Sequence, residues 1–444
     1  MKRRASRGSS RKRAGKQRRV APRKLSGGEL SVAHAAELLT LRGPNRPRCK
    51  EEMRNIGIIY DGAVVIDSGR IREVGKTEEI LRRHRGRARV IDASGKVVMP
   101  GFVDPHTHVA FAGSRHEEVA MKVAGLTYRE IAARGGGILK TVADTRAAPK
   151  AELLAATRLR LDGMLRFGTT TAEVKSGYGL TVESELAILQ TIQELSRSHP
   201  MGIVPTFLGA HAIPTEFSGR TDAYVDLVVD VMIRAVAEHG SARFCDAWVE
   251  DGYFSAAQAR RILATAKAHG LASKVHADEL SDSGGAALAA DIGAVSADHL
   301  VHASDAGLRA MADRGIVGVL LPGTSLASGI PYADGRQILD LGVPVALGTD
   351  CSPASLNESM PFVLALATHC LGMYAEEAIS AATVNAAFAV GLGEEVGSLE
   401  PGKSGDLLVL DFNTYGHLGY RISGNPVETV VKAGLVVAKR PGVG

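Results

Sequence analysis

The strongest constraint on the fold is an alternation that runs through the middle of the chain. Eight short apolar runs recur there: VVMPGFVDPHTH (97–108), TTTAEVKSG (169–177), GIVPTFLGAH (202–211), FCDAWVED (244–251), LASKVHADE (271–279), AVSADHLVH (294–302), IVGVLLPG (316–323) and VPVALGTD (343–350). Helix-like segments lie between them, among them VESELAILQTIQELS, DAYVDLVVDVMIRAVAEHG and SAAQARRILATAKAHG. The last of these has Ser255 as its expected N-cap and Gly270 as its expected C′ residue. Eight strand–helix units over about 290 residues match the count and size of a (β/α)8 TIM-type barrel. Reactive groups in such barrels sit at the C-terminal strand ends, and the polar residues of these runs fall there.

Both ends of the chain read differently. AELLTLRG, NIGIIYDGAVVIDSGRIREVG and ARVIDASGKVV are alternating runs broken by Asp-Gly and Ser-Gly turns, which predicts antiparallel hairpins. SLEPGKSGDLLVLDF and VETVVKAGLVVAKR repeat the style near the C-terminus. The expected architecture is thus α/β, a barrel with a small β-sandwich domain formed from both chain ends. The expected boundaries are a disordered basic tail at 1–27, the sandwich's N-terminal portion at 28–96, the barrel at 97–390 and the sandwich's C-terminal portion at 391–444.

Charge needs dividing before it is interpreted. Residues 1–24 hold twelve Lys and Arg and no acid, while the other 41 basic residues face 48 acidic ones, a balance of −7. The formal +5 therefore belongs to the tail and not to the body. Runs like the tail bind phosphates electrostatically, but no aromatic residue is interleaved for base stacking, so an inert extension is expected and nucleic-acid binding through the tail is the minor alternative. The four cysteines, Cys49, Cys245, Cys351 and Cys370, are scattered with no CxxC pair. That fits a reducing cytoplasm and argues against both a disulfide framework and a thiolate metal site. No apolar run approaches the roughly 20 residues of a membrane span, and the basic start lacks the apolar core of a secretory signal.

Chemistry concentrates at the strand ends. In Asp104-Pro105-His106-Thr107-His108 two histidines one residue apart point to the same side, because strand side chains alternate with period two. Later ends add Lys175 and Tyr178, His211, His276 with Glu279, His299, and Asp350. Alone, each has an ordinary explanation as a hydrogen-bonded core histidine or a turn residue; together they converge on the face where barrels place their sites. Three neutral imidazoles and one carboxylate suit Zn²⁺ or iron and leave a position for water. Glu279, three residues past His276, lies where the chain can turn it back toward that water as a proton shuttle. His299 is positioned to hydrogen-bond a substrate carbonyl oxygen.

These residues carry a resemblance. DPHTH on the first strand, His276 on the fifth, His299 on the sixth and GTD on the eighth resemble the amidohydrolase superfamily, which implies a barrel-plus-sandwich fold and hydrolysis of cyclic amides and amidines. Two-metal members bridge their ions through a lysine on the fourth strand. FCDAWVED has none, which implies a single divalent or trivalent ion, zinc or iron. Lys175, on the second strand, is not expected to bridge. From about residue 36 onward, HTHVAFAGSRHEE, GLTYREIAARGGGI, TTTAEVKSGYGL, FLGAHAIP, KVHADEL, SADHL and NPVETVVKAG are similar to the imidazolonepropionase family, whose members open 4-imidazolone-5-propanoate to N-formimidoyl-L-glutamate in histidine degradation.

That resemblance implies metal ligation by His106, His108, His276 and Asp350, and catalysis by Glu279, His299 and Asp350. It places Arg115, Tyr128, Tyr178 and His211, with Glu279, around a small substrate bearing a carboxylate. An arginine fork suits that group. One stretch departs: the family follows its last ligand with Phe-Asn-Pro-Gly-Ser, and this chain has Cys351-Ser352-Pro353-Ala354-Ser355. Ser352, Ala354 and Ser355 stand at positions resembling substrate contacts, and Ala354 restricts the backbone if positive φ is needed there. The alternative enzyme is a cyclic deaminase for cytosine- or guanine-like rings, using the same metal set. Arg115 and the tyrosines separate the two, since a nucleobase has no carboxylate. A homodimer is compatible with either reading, and no membrane partner is expected.

Overall fold

A computed structural model describes residues 28–84 and 89–442, apart from the side chains at 128 and 129. The basic tail and the Tyr128 side chain therefore lie outside the described residues.

The eight predicted apolar runs each supply one strand of the parallel barrel: β1 (Phe102–Asp104), β2 (Thr169–Lys175), β3 (Gly202–Ala210), β4 (Phe244–Val249), β5 (Ala272–Ala277), β6 (Ser296–His299), β7 (Val317–Leu320) and β8 (Val345–Leu347). Their spatial order is their sequence order. The bridge between Thr107 and Cys351, with Asp350 N–H donating to His106 O at 3.1 Å, brings the end of β8 back to β1 and nearly closes the barrel. The helix Ala256–Ala268 shows why the intervening segments fold as they do. Ser255 and Gln258 form a reciprocal capping box, and Gly270 follows the last turn at φ +87°. No helix among the described residues is long and apolar enough to cross a membrane.

The chain ends meet in one mixed sheet of eight strands. Leu30–Leu39 pairs antiparallel with Ile58–Asp67, and Ser68-Gly69 turns that strand into Arg70–Lys76 as expected. Asp61-Gly62, expected as a turn, instead lies within the strand, where Asp61 takes φ +49° at an irregularity in the pairing. Leu30–Leu39 pairs parallel with Arg89–Asp92 and Val97–Pro100. Parallel pairing needs a crossover, and the helix Thr77–Arg83 lies within that connection. Val97–Pro100 in turn pairs antiparallel with Leu407–Leu410, which joins the two ends of the chain.

The apolar run 97–108 reads as one strand in the sequence and is two in the structure. Residues Val97–Pro100 belong to the small sheet, and the barrel strand begins at Phe102. Gly101 between them is where the chain changes sheets: a Cβ there would meet Thr170 Oγ1 at 2.3 Å, so only glycine allows the approach.

Candidate metal centre and active site

Four groups from β1, β5 and β8 converge at the C-terminal mouth of the barrel. His106 Nε2 and His276 Nε2 each lie 3.2 Å from His108 Nε2. Asp350 Oδ1 is 3.7 Å from both His106 Nε2 and His108 Nε2. All four residues are buried. Facing nitrogens this close share at most one proton per pair, and Asp350 Oδ1 has no hydrogen-bond partner among the described residues. Burial holds the His106 and His108 imidazoles well below their ordinary range, helped by Lys175 and the adjacent histidines. Neutral nitrogens and an orphaned carboxylate oxygen around one point fit a cation. His299 is also close: its ring nitrogen, His106 and Asp350 bring donor atoms within 4.8 Å of one another.

The turns that present these groups are strained and clamped. Asp278, His299 and Asp350 have φ of +53°, +80° and +46°, a region uncommon for non-glycine residues. Asp278 takes N–H bonds from Ser283, Gly285 and Ala286 at 2.8–3.0 Å, and Glu250 takes the Leu280 N–H at 2.8 Å. Glu279 is held between these two anchors, its side chain 14% exposed, with Oε2 3.7 Å from His299 Nε2. Burial, together with the charges of Asp350 and Glu250, pushes the Glu279 carboxyl up to about 8. A group of that kind exchanges protons near neutral pH. Burial likewise lifts Asp350 to about 6, while Thr324 Oγ1 donates to its Oδ2 at 2.5 Å.

Most residues expected around a substrate gather here. His211 stacks on His108 with ring centroids 4.9 Å apart, and Tyr178 lies 5.2 Å from His211 and 6.0 Å from His108. Tyr178 is carried on a turn whose amides at Gly177, Gly179 and Leu180 all donate to the buried Glu185. Arg115 is buried too, but its Nε and Nη2 are engaged by Glu118 at 2.8 and 2.7 Å, and Glu118 also accepts the Gly137 N–H. Ala354 is not a residue of positive φ; the left-handed position in that turn falls on Leu356 at +47°. The expected backbone conflict at Ala354 is therefore absent. Ser352 is buried, and Ser355 Oγ donates to Asp350 O at 3.1 Å, so Ser355 shapes the turn that carries the carboxylate.

Sequence reading overlooked the layer below. Asp298 Oδ2 accepts from His106 Nδ1 at 2.7 Å, and Asp246 Oδ2 lies 2.9 Å from His276 Nδ1, off the ideal N–H direction. Such contacts fix which ring nitrogen is left to face a metal. The signal was present as acids at inward positions of apolar strands: Asp246 in FCDAWV, Asp298 in SADH and Glu173 in TAEVK.

The barrel, the converging imidazoles and the carboxylate at the end of β8 define a hydrolase of the amidohydrolase class. The amidohydrolase family model matches residues 97–437, and that of the imidazolonepropionase-like composite domain of bacteria matches residues 62–86. The chain is 51% identical to an imidazolonepropionase of Symbiobacterium thermophilum over 92% of its own length and 97% of that protein, and 49% identical to one of Geobacillus kaustophilus over the same shares. It belongs to the imidazolonepropionase family. Among solved structures, Escherichia coli guanine deaminase superposes with a TM-score of 0.70 at 18% identity, covering 93% of this chain and all of that one. An adenosine deaminase from Xanthomonas campestris with bound zinc gives 0.66 at 18% identity, covering 92% of each. At that identity both speak for the fold alone.

Proposed function

We propose that this protein opens the ring of 4-imidazolone-5-propanoate to N-formimidoyl-L-glutamate, with one zinc or iron ion held by His106, His108, His276 and Asp350. The observation that carries the reading is the cluster of three imidazoles and an orphaned carboxylate oxygen beside Glu279, whose carboxyl burial pushes up to about 8. When bound, the ion supplies a Lewis acid that lowers the pKa of water toward about 7.

The chain's own residues do the rest. Glu279 accepts a proton from the attacking water as its oxygen adds to the ring carbonyl carbon. His299, within reach of Glu279 and facing the same mouth, donates to the carbonyl oxygen as negative charge grows there. Glu279 then returns the proton to the departing ring nitrogen, and the carbon–nitrogen bond breaks. Asp350, through the Thr324 hydroxyl on its second oxygen, keeps one oxygen directed at the centre. Arg115 is assigned to the propionate, with Glu118 holding one edge of its fork. Tyr128, Tyr178, His211 and Ser352 are assigned to the remainder of the substrate. This body carries an excess of acids, so a local cation is what an anionic substrate requires.

The test is ring opening of imidazolone propionate set against ammonia release from cytosine and guanine by the same preparation, alongside metal analysis of protein purified without added metal. Turnover of the nucleobases alone would overturn the assignment.

A further inference from the structure

The layer beneath the imidazoles carries more charge than stability requires. Replacing a buried ion pair by packed apolar side chains is often neutral or stabilising, and barrel interiors are ordinarily filled by branched aliphatic residues. Here β2, β4, β5 and β6 place Glu173, Lys175, Asp246, Lys274 and Asp298 in one fully buried group. Lys175 is its centre. Its Nζ donates to Asp246 Oδ2 at 2.7 Å and to Glu173 Oε1 at 3.0 Å, and lies 2.8 Å from Glu173 Oε2 and 3.7 Å from Asp298 Oδ2. These same two aspartate oxygens stand under His276 Nδ1 and His106 Nδ1, at 2.9 and 2.7 Å.

One ammonium therefore reaches both carboxylate oxygens on which two of the three imidazoles rest. Lys274 approaches only one of the two: it lies 3.6 Å from Asp298 Oδ2 and 3.7 Å from Glu173 Oε1, and it donates to Pro105 O at 3.0 Å, steadying the turn before His106. Burial alone would strip Lys175 of its proton, but Asp246, Glu173 and Asp298 outweigh it and keep the group an ammonium. Directed at three carboxylates in that form, it is not a metal ligand.

We propose that Lys175 is a positioning residue for the metal centre: by its hydrogen bond to Asp246 Oδ2 and its charge beside Asp298 Oδ2, it turns the Nε2 atoms of His276 and His106 toward the point that His108 and Asp350 also face. The inference rests on the metal site assigned above. It differs from a purely structural role, in which Lys175 only balances buried negative charge.

Titration of the full chain with Co²⁺, read by visible absorption and by competition with a chelator, separates the two. Lys175→Met should weaken cobalt binding by up to about 10–100-fold, the loss that follows when a ligating histidine's own carboxylate partner is removed, and should alter the visible band. Lys175→Met/Glu173→Gln restores the charge balance without restoring the donor to Asp246 or the cation beside Asp298. It should regain thermal stability but neither the affinity nor the band. Wild-type affinity and spectrum in either variant would overturn the proposal. Should neither variant fold, ¹⁵N spectra of histidine-labelled, metal-free wild type give the answer: His106 and His276 protonated on Nδ1 are expected, and both protonated on Nε2 would overturn it. Wild type that takes up no cobalt would count against the metal site itself, a separate failure.

Discussion

Glu279→Gln isolates the proton shuttle from everything else at the site. The substitution keeps shape and removes one ionisable group, leaving His106, His108, His276 and Asp350 untouched. A positioned acid–base group is worth about 10²–10⁴-fold in rate, or about 2.7–5.4 kcal/mol at 1.36 kcal/mol per decade. Turnover should fall by that factor while metal content stays at the wild-type level. A second consequence follows from the carboxyl being pushed from 4.5 up to about 8. The metal-free folded state holds a proton that the unfolded chain has lost, so Glu279 subtracts stability as pH rises between those values. At about 1.4 kcal/mol per pH unit the interval sums to an upper bound on the order of 5 kcal/mol. Denaturant unfolding in the presence of chelator at pH 5, 7 and 8.5 should therefore show a shallower decline with pH in the variant than in wild type. Turnover within tenfold of wild type, together with an unchanged decline, would refute the assignment of Glu279 as a buried, proton-exchanging group.

His276→Ala removes one of four converging donors and should lose metal and activity together; near-stoichiometric metal with normal turnover would sink the ligand assignment. Arg115→Ala should lower kcat/KM by about 2–5 kcal/mol and also destabilise the fold, because it strands the buried Glu118. Adding Glu118→Gln should recover the melting temperature but not kcat/KM, and recovery of both would place the carboxylate elsewhere. Glu250→Gln removes a negative charge that raises Glu279, so Glu279 should ionise at lower pH and the acid limb of the kcat/KM profile should move down. A limb that stays put or moves up would contradict the electrostatics read from this loop.

The sequence by itself determined the architecture and the upper half of the site. Eight apolar runs punctuated by helix-like segments specify the barrel, because strand and crossover helix are local patterns. The period of two in His106-Thr107-His108 puts both rings on one side before any tertiary contact forms. Ser255 and Gly270 announce a helix's ends for the same local reason. Tertiary structure decided what depends on partners far apart in the chain. Residues 97–108 look like one strand, and only the approach of Thr170 to Gly101 shows where the small sheet gives way to the barrel. Leu30–Leu39 pairs parallel with Arg89–Asp92 because a distant crossover allows it, which alternation alone does not encode. Arg115 looks solitary in AGSR and is forked to Glu118 in the fold. Lys175, Asp246 and Asp298 lie on three different strands, each an isolated charge in an apolar run. Their meaning as one group beneath two imidazoles exists only once the barrel brings those strands around a common axis, since burial makes each charge depend on the others.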